Sequence, residues 1–136
     1  MRKKGITLAE TVVAMAIAVI VSMMAYTTCN FAISQNAKNK VKSFFINQAQ
    51  NYVNCYYLGA TEYEDAFEFL IGESAEFGAD KTVYYDKDFN ISTELDSRYH
   101  IDLHFENSNQ NFSVKCYSNL NGTAVFEVEV WYEMEK

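Results

Sequence analysis

Residues 6–26 form an apolar run, and this run constrains the chain more than any other feature. Only four polar side chains interrupt it, namely Thr7, Glu10, Thr11 and Ser22. A helix needs about twenty apolar residues to span the hydrocarbon core of a bilayer. The sequence therefore predicts a membrane helix that carries a carboxylate, at Glu10, where a charge is costly.

The charges in front of the apolar run predict its orientation. Arg2, Lys3 and Lys4 precede it, and basic residues stay on the cytoplasmic side of a membrane helix. We therefore expect a single-pass protein of the cell membrane with a cytoplasmic N-terminus and an extracytoplasmic C-terminal domain. A cleaved secretory signal is the alternative. However, the residues near Ala25 match a signal-peptide cleavage site poorly, and the residues before Cys29 match a lipoprotein signal weakly.

The helical pattern continues beyond the membrane, over residues 29–58. Neither Pro nor Gly occurs between Ile6 and Leu58, and Gly59 is a suitable helix end. Side chains recur there at three- and four-residue steps, forming a stripe of Phe31, Val41, Phe44, Phe45, Gln48, Tyr52, Cys55 and Tyr56. The sequence predicts one helix of about fifty residues, apolar all round in its first half and amphipathic in its second. A folded domain of the same chain must cover the amphipathic stripe.

Residues 59–81 connect this helix to a predicted sheet. Within them TEYEDAFEFLIG predicts a short helix with an acidic face, and Thr61 and Glu64 have the spacing of a capping box. From residue 82 the apolar positions alternate, as in strands that face a core on one side. The segments RYHIDLHFE, FSVKCY and AVFEVEVWY predict an antiparallel meander, and TVYYDKDFNIST predicts a further strand or hairpin.

These elements predict an α+β fold class, with a long N-terminal helix packed on a small antiparallel β-sheet over residues 82–136. In the last strand, the residues expected to face inward are Ala124, Phe126, Val128, Val130 and Tyr132.

The net charge is −7, and removal of the three basic residues at 2–4 lowers it to −10, which argues against nucleic-acid binding through net charge. Lys38, Lys40 and Lys42 are interpreted as a solvated helix face, with a local basic patch as the alternative.

No pattern of nucleophile, base and orienting group is apparent, so we expect a non-enzyme without cofactor or metal. Asp86, Asp88 and Asn90 resemble the start of a calcium loop, but Ile91 and Ser97 replace its glycine and glutamate, so a hairpin turn is favoured. His100 and His104 share a strand face but lie too far apart along it for one ion.

The three cysteines leave two outcomes open. Cys55 on the helix stripe and Cys116 on the inward strand face could form a disulfide in an extracytoplasmic domain. Two buried free thiols fit the sequence equally well. Cys29 has no intramolecular partner that the sequence identifies.

The stretch KKGITLAE resembles the N-terminus of type IV pilins and pseudopilins: a short basic leader, Gly5, an apolar Ile6, and Glu10 five residues after the glycine. The resemblance implies a pilin-like fold. It also implies that prepilin peptidase removes residues 1–5 by cutting between Gly5 and Ile6, and that the new terminus at Ile6 is N-methylated. Residues 6–28 would then be the transmembrane and assembly helix, residues 29–136 the extracytoplasmic domain, and Glu10 the glutamate needed for assembly.

The resemblance also implies partners and a role. The partners would be other pilin or pseudopilin subunits, the inner assembly platform with its ATPase, membrane lipid before assembly, and DNA if the machine is of the competence type. The chain lacks the proline that many major pilins carry in this helix, and Ala9 replaces a branched residue. A minor pilin or pseudopilin is therefore expected, serving a type IV pilus, a competence pseudopilus or a type II secretion pseudopilus. The alternative is an uncleaved, membrane-anchored extracellular binding domain.

Overall fold

A computed structural model describes residues 7–106, 111–119 and 124–131. The described chain holds helices α1 (Leu8–Tyr57) and α2 (Ala60–Ile71), strands β1 (Lys81–Tyr85), β2 (Tyr99–Glu106), β3 (Asn111–Ser118) and β4 (Ala124–Trp131), and a short 3-10 turn (Glu94–Asp96). The chain divides into two compact units, residues 1–40 and 41–136. The predicted α+β fold class, a long apolar helix plus a small antiparallel sheet, is confirmed.

The described part of the first unit is helix from Leu8 onward, and all its side chains from Thr7 to Lys40 are exposed. The helix is long and apolar enough to cross a membrane. Several of its hydroxyl groups are satisfied locally: Ser22 donates to the Ala18 carbonyl at 2.7 Å, and Thr28 donates to the Met24 carbonyl at 2.8 Å. Such internal bonds matter in lipid, where no water replaces them. Phe31, which the periodicity assigned to the core stripe, belongs to this exposed unit.

The second unit contains a four-stranded sheet in the order β1-β2-β3-β4. Each strand pairs antiparallel with the next, which confirms the predicted meander and its additional first strand. Alternation along β2 buries Ile101, Leu103 and Phe105 on one face, and these side chains lie opposite Cys116, Val114 and Phe112 of β3.

The remaining stripe of α1 covers this apolar face. Phe45, Ala49, Tyr52, Cys55 and Tyr56 are all buried in one cluster with residues of the sheet and of α2. The Tyr56 ring stacks on the Phe112 ring of β3 with centroids 4.9 Å apart. Paired aromatic rings contribute beyond their buried area, which suits a small domain with a limited core.

The last strand departs from the predicted alternation at its start. Phe126, Val128 and Val130 pack against the core cluster as expected. A register shift between Cys116 and Tyr117 leaves Cys116 opposite Phe126 but places Ala124 opposite Tyr117. The assignment of Ala124 to the inward face is therefore wrong, because a β-bulge inserts one residue and reverses the alternation. Tyr132 lies outside the described residues.

The short helix α2 is confirmed, but its predicted capping box is wrong. Gly59 occupies the cap position with φ 78° and no side-chain hydrogen bond, so Thr61 lies inside the helix. The Gly59 amide donates to the Tyr56 carbonyl at 3.1 Å, and its own carbonyl accepts from the Tyr63 amide at 3.0 Å. One glycine therefore ends α1 and begins α2, because it tolerates a positive φ.

All three cysteines are free thiols in the structure. Cys55 and Cys116 are buried in the core of the second unit, whereas Cys29 is exposed. Burial raises the pKa of Cys116 to about 12 and also raises the pKa of Cys55, so both thiols are protonated at neutral pH. A disulfide between them stays a prediction.

Two buried tyrosines are expected to respond in opposite ways when their hydroxyl is removed. The Tyr63 hydroxyl is buried without a hydrogen-bond partner in the described chain, whereas the Tyr52 and Tyr85 hydroxyls are 2.6 Å apart. Tyr63→Phe removes an unsatisfied group, so we expect the free energy of unfolding to rise by about 1 kcal/mol. Tyr52→Phe leaves Tyr85 unpaired and should lower it by about 1–3 kcal/mol. Urea unfolding of the full chain in detergent measures both changes, and a loss of stability in Tyr63→Phe would contradict this reasoning.

Candidate functional site

Glu10, the charge inside the apolar run, lies in the first turn of α1 and closes a capping box with Thr7. The Thr7 amide donates to Glu10 Oε2 at 2.9 Å, and the Glu10 amide donates to Thr7 Oγ1 at 3.4 Å. These bonds satisfy two amides that a helix start leaves unpaired, and the carboxylate also lies at the positive end of the helix dipole. The cost of the charge is therefore partly offset within its own helix.

Sequence reasoning missed this role of Glu10. The spacing T-x-x-E occurs at residues 7–10 and at residues 61–64. The sequence predicts a capping box only at the second place, whereas the structure forms one at the first. The signal that separates them is position: the first pair stands where the apolar helix begins, whereas Gly59 already ends one helix and starts the next.

The cap leaves part of the Glu10 carboxylate unused. Oε2 accepts the Thr7 amide, whereas Oε1 has no hydrogen-bond partner among the residues described. The surrounding side chains are apolar and exposed, with Leu8 at 84%, Val12 at 59% and Val13 at 57% exposure. The start of α1 thus presents one acceptor oxygen within an uncovered apolar surface. Gly5 and Ile6, the predicted cleavage and methylation residues, lie outside the described residues.

Residues 1–26 match a family model described as the prokaryotic N-terminal methylation motif, the signature of type IV pilins and pseudopilins. No curated protein and no solved structure matches the chain. The motif supports a type IV pilin-like precursor that is processed by prepilin peptidase and assembles with other pilins. A membrane-anchored pilin also accords with the apolar helix, and the α+β architecture is consistent with a pilin-like fold.

The two histidines of β2 have separate partners on the outward face of the sheet. His104 Nδ1 lies 2.6 Å from Asp80 Oδ2, so it links β2 to the segment before β1. His100 is hydrogen-bonded to Asn119 and stacks on the Tyr117 ring with centroids 4.8 Å apart. Within the described ranges, no group of three or more His, Cys, Asp or Glu is placed to hold a metal ion.

Ser113 is the cross-strand neighbour of His104, so the residue types of a hydrolytic triad share one face with Asp80. A nucleophile and its base need a hydrogen bond between them. No such bond joins Ser113 to His104 in the part of the chain that the structure describes. The geometry therefore supports a link between Asp80 and His104.

The segment that resembles a calcium loop forms the predicted turn. Asp86 Oδ1 accepts the amides of Asp88 and Asn90 at 2.8 and 2.9 Å, and the Asp86 amide donates to the Asn90 carbonyl. Phe89 has a positive φ of 68°, and its ring stacks on Phe44 with centroids 4.4 Å apart. The Asp86 carboxylate is thus used to hold the turn, and an aromatic contact fixes the turn against α1.

Asp80 is expected to make the stability of the second unit depend on acid pH. The Phe105 amide, 3.0 Å from Oδ1, and then His104 lower the pKa of this carboxyl. Because the folded-state pKa is below the unfolded one, the stabilisation is present above about pH 4 and is lost as the pH falls through the folded value. The carboxylate is exposed, so its contribution at pH 7 is below about 1 kcal/mol.

Asp80→Asn should therefore lower the urea midpoint slightly at pH 7, and its midpoint should fall less steeply between about pH 5 and pH 3. Asp88→Asn is the matched control, since the Asp88 side chain has no hydrogen-bond or ion-pair partner in the described chain. Equal pH profiles for Asp80→Asn and the wild type would show that the Asp80 link contributes nothing.

Proposed function

We propose that the mature chain is a structural subunit, a minor pilin or a pseudopilin, of a type IV pilus or a related pseudopilus. One observation carries this proposal: residues 8–26 of the matched motif lie on a helix whose described apolar side chains are all exposed up to Lys40. Such a surface needs lipid or other apolar helices around it. A subunit that moves from membrane to filament meets this need in both settings.

The assembly step follows from the chemistry of the N-terminus. Prepilin peptidase cuts between Gly5 and Ile6, and Ile6 then carries a cationic, N-methylated amine. The unused Oε1 of Glu10 in a neighbouring subunit accepts this cation as the helices bundle. Removal of bulk water makes the pair sensitive to loss of either partner, because an unpaired charge would remain between apolar helices.

The proposed topology has residues 1–5 as a cytoplasmic leader, residues 6–28 as the membrane and assembly helix, and residues 29–136 outside the cytoplasm. The inner assembly platform and its ATPase extract the subunit from the bilayer. The absence of proline in the chain and the presence of Ala9 favour a minor pilin or pseudopilin over a main filament subunit. The machine is a pilus, a competence pseudopilus, where DNA is a partner, or a type II secretion pseudopilus.

The mature N-terminus distinguishes this function from an uncleaved, anchored binding domain. Mass spectrometry of the protein from membranes should detect a chain that begins with N-methyl-isoleucine at Ile6. Gly5→Val should block cleavage, because a branched side chain replaces the unobstructed residue before the cut. An intact Met1 terminus on the wild-type protein in cells with an active prepilin peptidase would refute the proposal.

Glu10 variants separate the charge from the helix cap. Glu10→Gln retains a side-chain oxygen for the Thr7 amide but has no charge, whereas Thr7→Ala removes the capping hydroxyl and keeps the carboxylate. Breaking a buried ion pair costs about 3–5 kcal/mol, so Glu10→Gln should reduce filament incorporation by more than about tenfold. Thr7→Ala should assemble nearly as the wild type does. Immunoblots of sheared filaments and of membranes measure both, and normal assembly of Glu10→Gln would reject the charge pair.

A further inference from the structure

The outward face of α2 is acidic and carries a fully exposed aromatic ring. Glu62, Asp65 and Phe69 follow at i, i+3 and i+7, which places them on one stripe, and Phe69 is 93% exposed. Glu64 and Glu68 flank this stripe. None of these four carboxylates has a basic partner within 4.0 Å among the residues described.

The helix dipole explains only part of this pattern. Acids favour the first turn, which accounts for Glu62, but Glu68 lies near the opposite end, where the dipole disfavours a negative charge. Glu64 and Glu68 also repel one another at i and i+4. Phe69 is exposed beside these acids although the opposite side of α2 buries Tyr63 and Phe67. The stripe is thus costly for the isolated chain and suits a partner that is basic and apolar.

The same chain carries a complementary stripe on α1. No acidic residue occurs between Glu10 and Glu62, whereas Lys38, Lys40 and Lys42 fall in that interval. Phe31, Lys38 and Lys42 follow at i, i+7 and i+11 and therefore share one side of the helix. All three are exposed, and neither Lys38 nor Lys42 has a carboxylate within 4.0 Å in the described chain.

The two stripes match in spacing as well as in charge. Phe31 and Lys38 are seven residues apart, and so are Glu62 and Phe69, which corresponds to about 10.5 Å along each helix. If the helices run antiparallel, Phe31 lies opposite Phe69 and Lys38 lies opposite Glu62. Asp65 lies three residues from Glu62, and Lys42 lies four residues from Lys38. Each therefore adds a second charge within about one helical turn of the Lys38–Glu62 pair.

We propose that the Phe31–Lys38–Lys42 stripe of one subunit docks antiparallel on the Glu62–Asp65–Phe69 stripe of a second copy of this chain. The interface rests on the proposed function, because it operates in the filament. It joins two different patches, so each subunit keeps one stripe free for the next copy. A contact of this heterologous kind can repeat, so two or more copies of this subunit can lie next to one another within the pilus or pseudopilus.

Zero-length carbodiimide cross-linking tests the contact on the full chain in membranes and sheared filaments. Subunits labelled with ¹⁴N and ¹⁵N are mixed, and mass spectrometry identifies mixed-label peptides that join Lys38 or Lys42 to Glu62 or Asp65. Reversing one stripe, by Lys38→Glu with Lys42→Glu or by Glu62→Lys with Asp65→Lys, should lower filament yield about tenfold, which corresponds to about 1.4 kcal/mol. Combining both reversals should restore at least half of the yield.

Lys87→Glu combined with Glu94→Lys is the matched control, because both residues are exposed and lie on neither stripe. It should assemble as the wild type does, and circular dichroism checks that every variant is folded.

The docking proposal is overturned if wild-type filaments form without mixed-label peptides, if the combined reversal remains as poor as either single reversal, or if the α2 acids cross-link to a different protein. In each case a wild-type chain that is cleaved and assembled leaves the proposed function standing. Failure of the wild type to be cleaved or assembled rejects that function instead, and the docking proposal with it.

Discussion

The apolar side chains of α1 between Leu8 and Lys40 are exposed in the part of the chain that the structure describes, and this exposure is the main physical constraint on the chain. The hydroxyl groups of Ser22, Thr27 and Thr28 donate to carbonyl groups of the same helix. A helix with these properties is stable in lipid or against similar helices, but it is a liability in water. This segment therefore needs lipid or other apolar helices around it, which is the physical support for the proposed membrane and filament stages.

The second unit meets the opposite requirement, since it must hold together with a small core. Its solution is a cluster of aromatic rings contributed by α1, α2 and the sheet, in which Tyr56 contacts Phe77, Phe105 and Phe112. Large rings bury much area for each residue and lose few rotamers on ordering. Gly59 makes this shared cluster possible, because its positive φ lets α2 begin three residues after α1 ends. The apolar side chains of α2 therefore pack in the same cluster as those of α1.

Much of the fold could be predicted because it depends on periodicity. Helix α1 changes from apolar on all sides to apolar on one side, and apolar residues alternate in β2 and β3. Both patterns show which face of the element is buried away from water. The errors arise where geometry interrupts a period. The bulge beside Cys116 turns Ala124 outward, Gly59 replaces Thr61 as the cap, and Phe31 fits the period of the stripe but is exposed. The link between Asp80 and His104 joins residues 24 positions apart, which only the sheet register brings together.

At the candidate site the sequence predicts an assembly role for Glu10, and the structure adds a local role at the start of its own helix. From its position five residues after Gly5, Glu10 is expected to pair with a positive charge of a neighbouring subunit during assembly. The Thr7 cap adds that the carboxylate already has a use in the isolated helix, and this use occupies one oxygen and leaves the other available. A glutamate at the third position of the helix can therefore be tolerated near the membrane surface and still accept a cation later. An aspartate has a shorter side chain, so it reaches back to the cap less well and extends less far toward a neighbour. If the proposed assembly requires both contacts, the length of the side chain matters at this position as well as its charge.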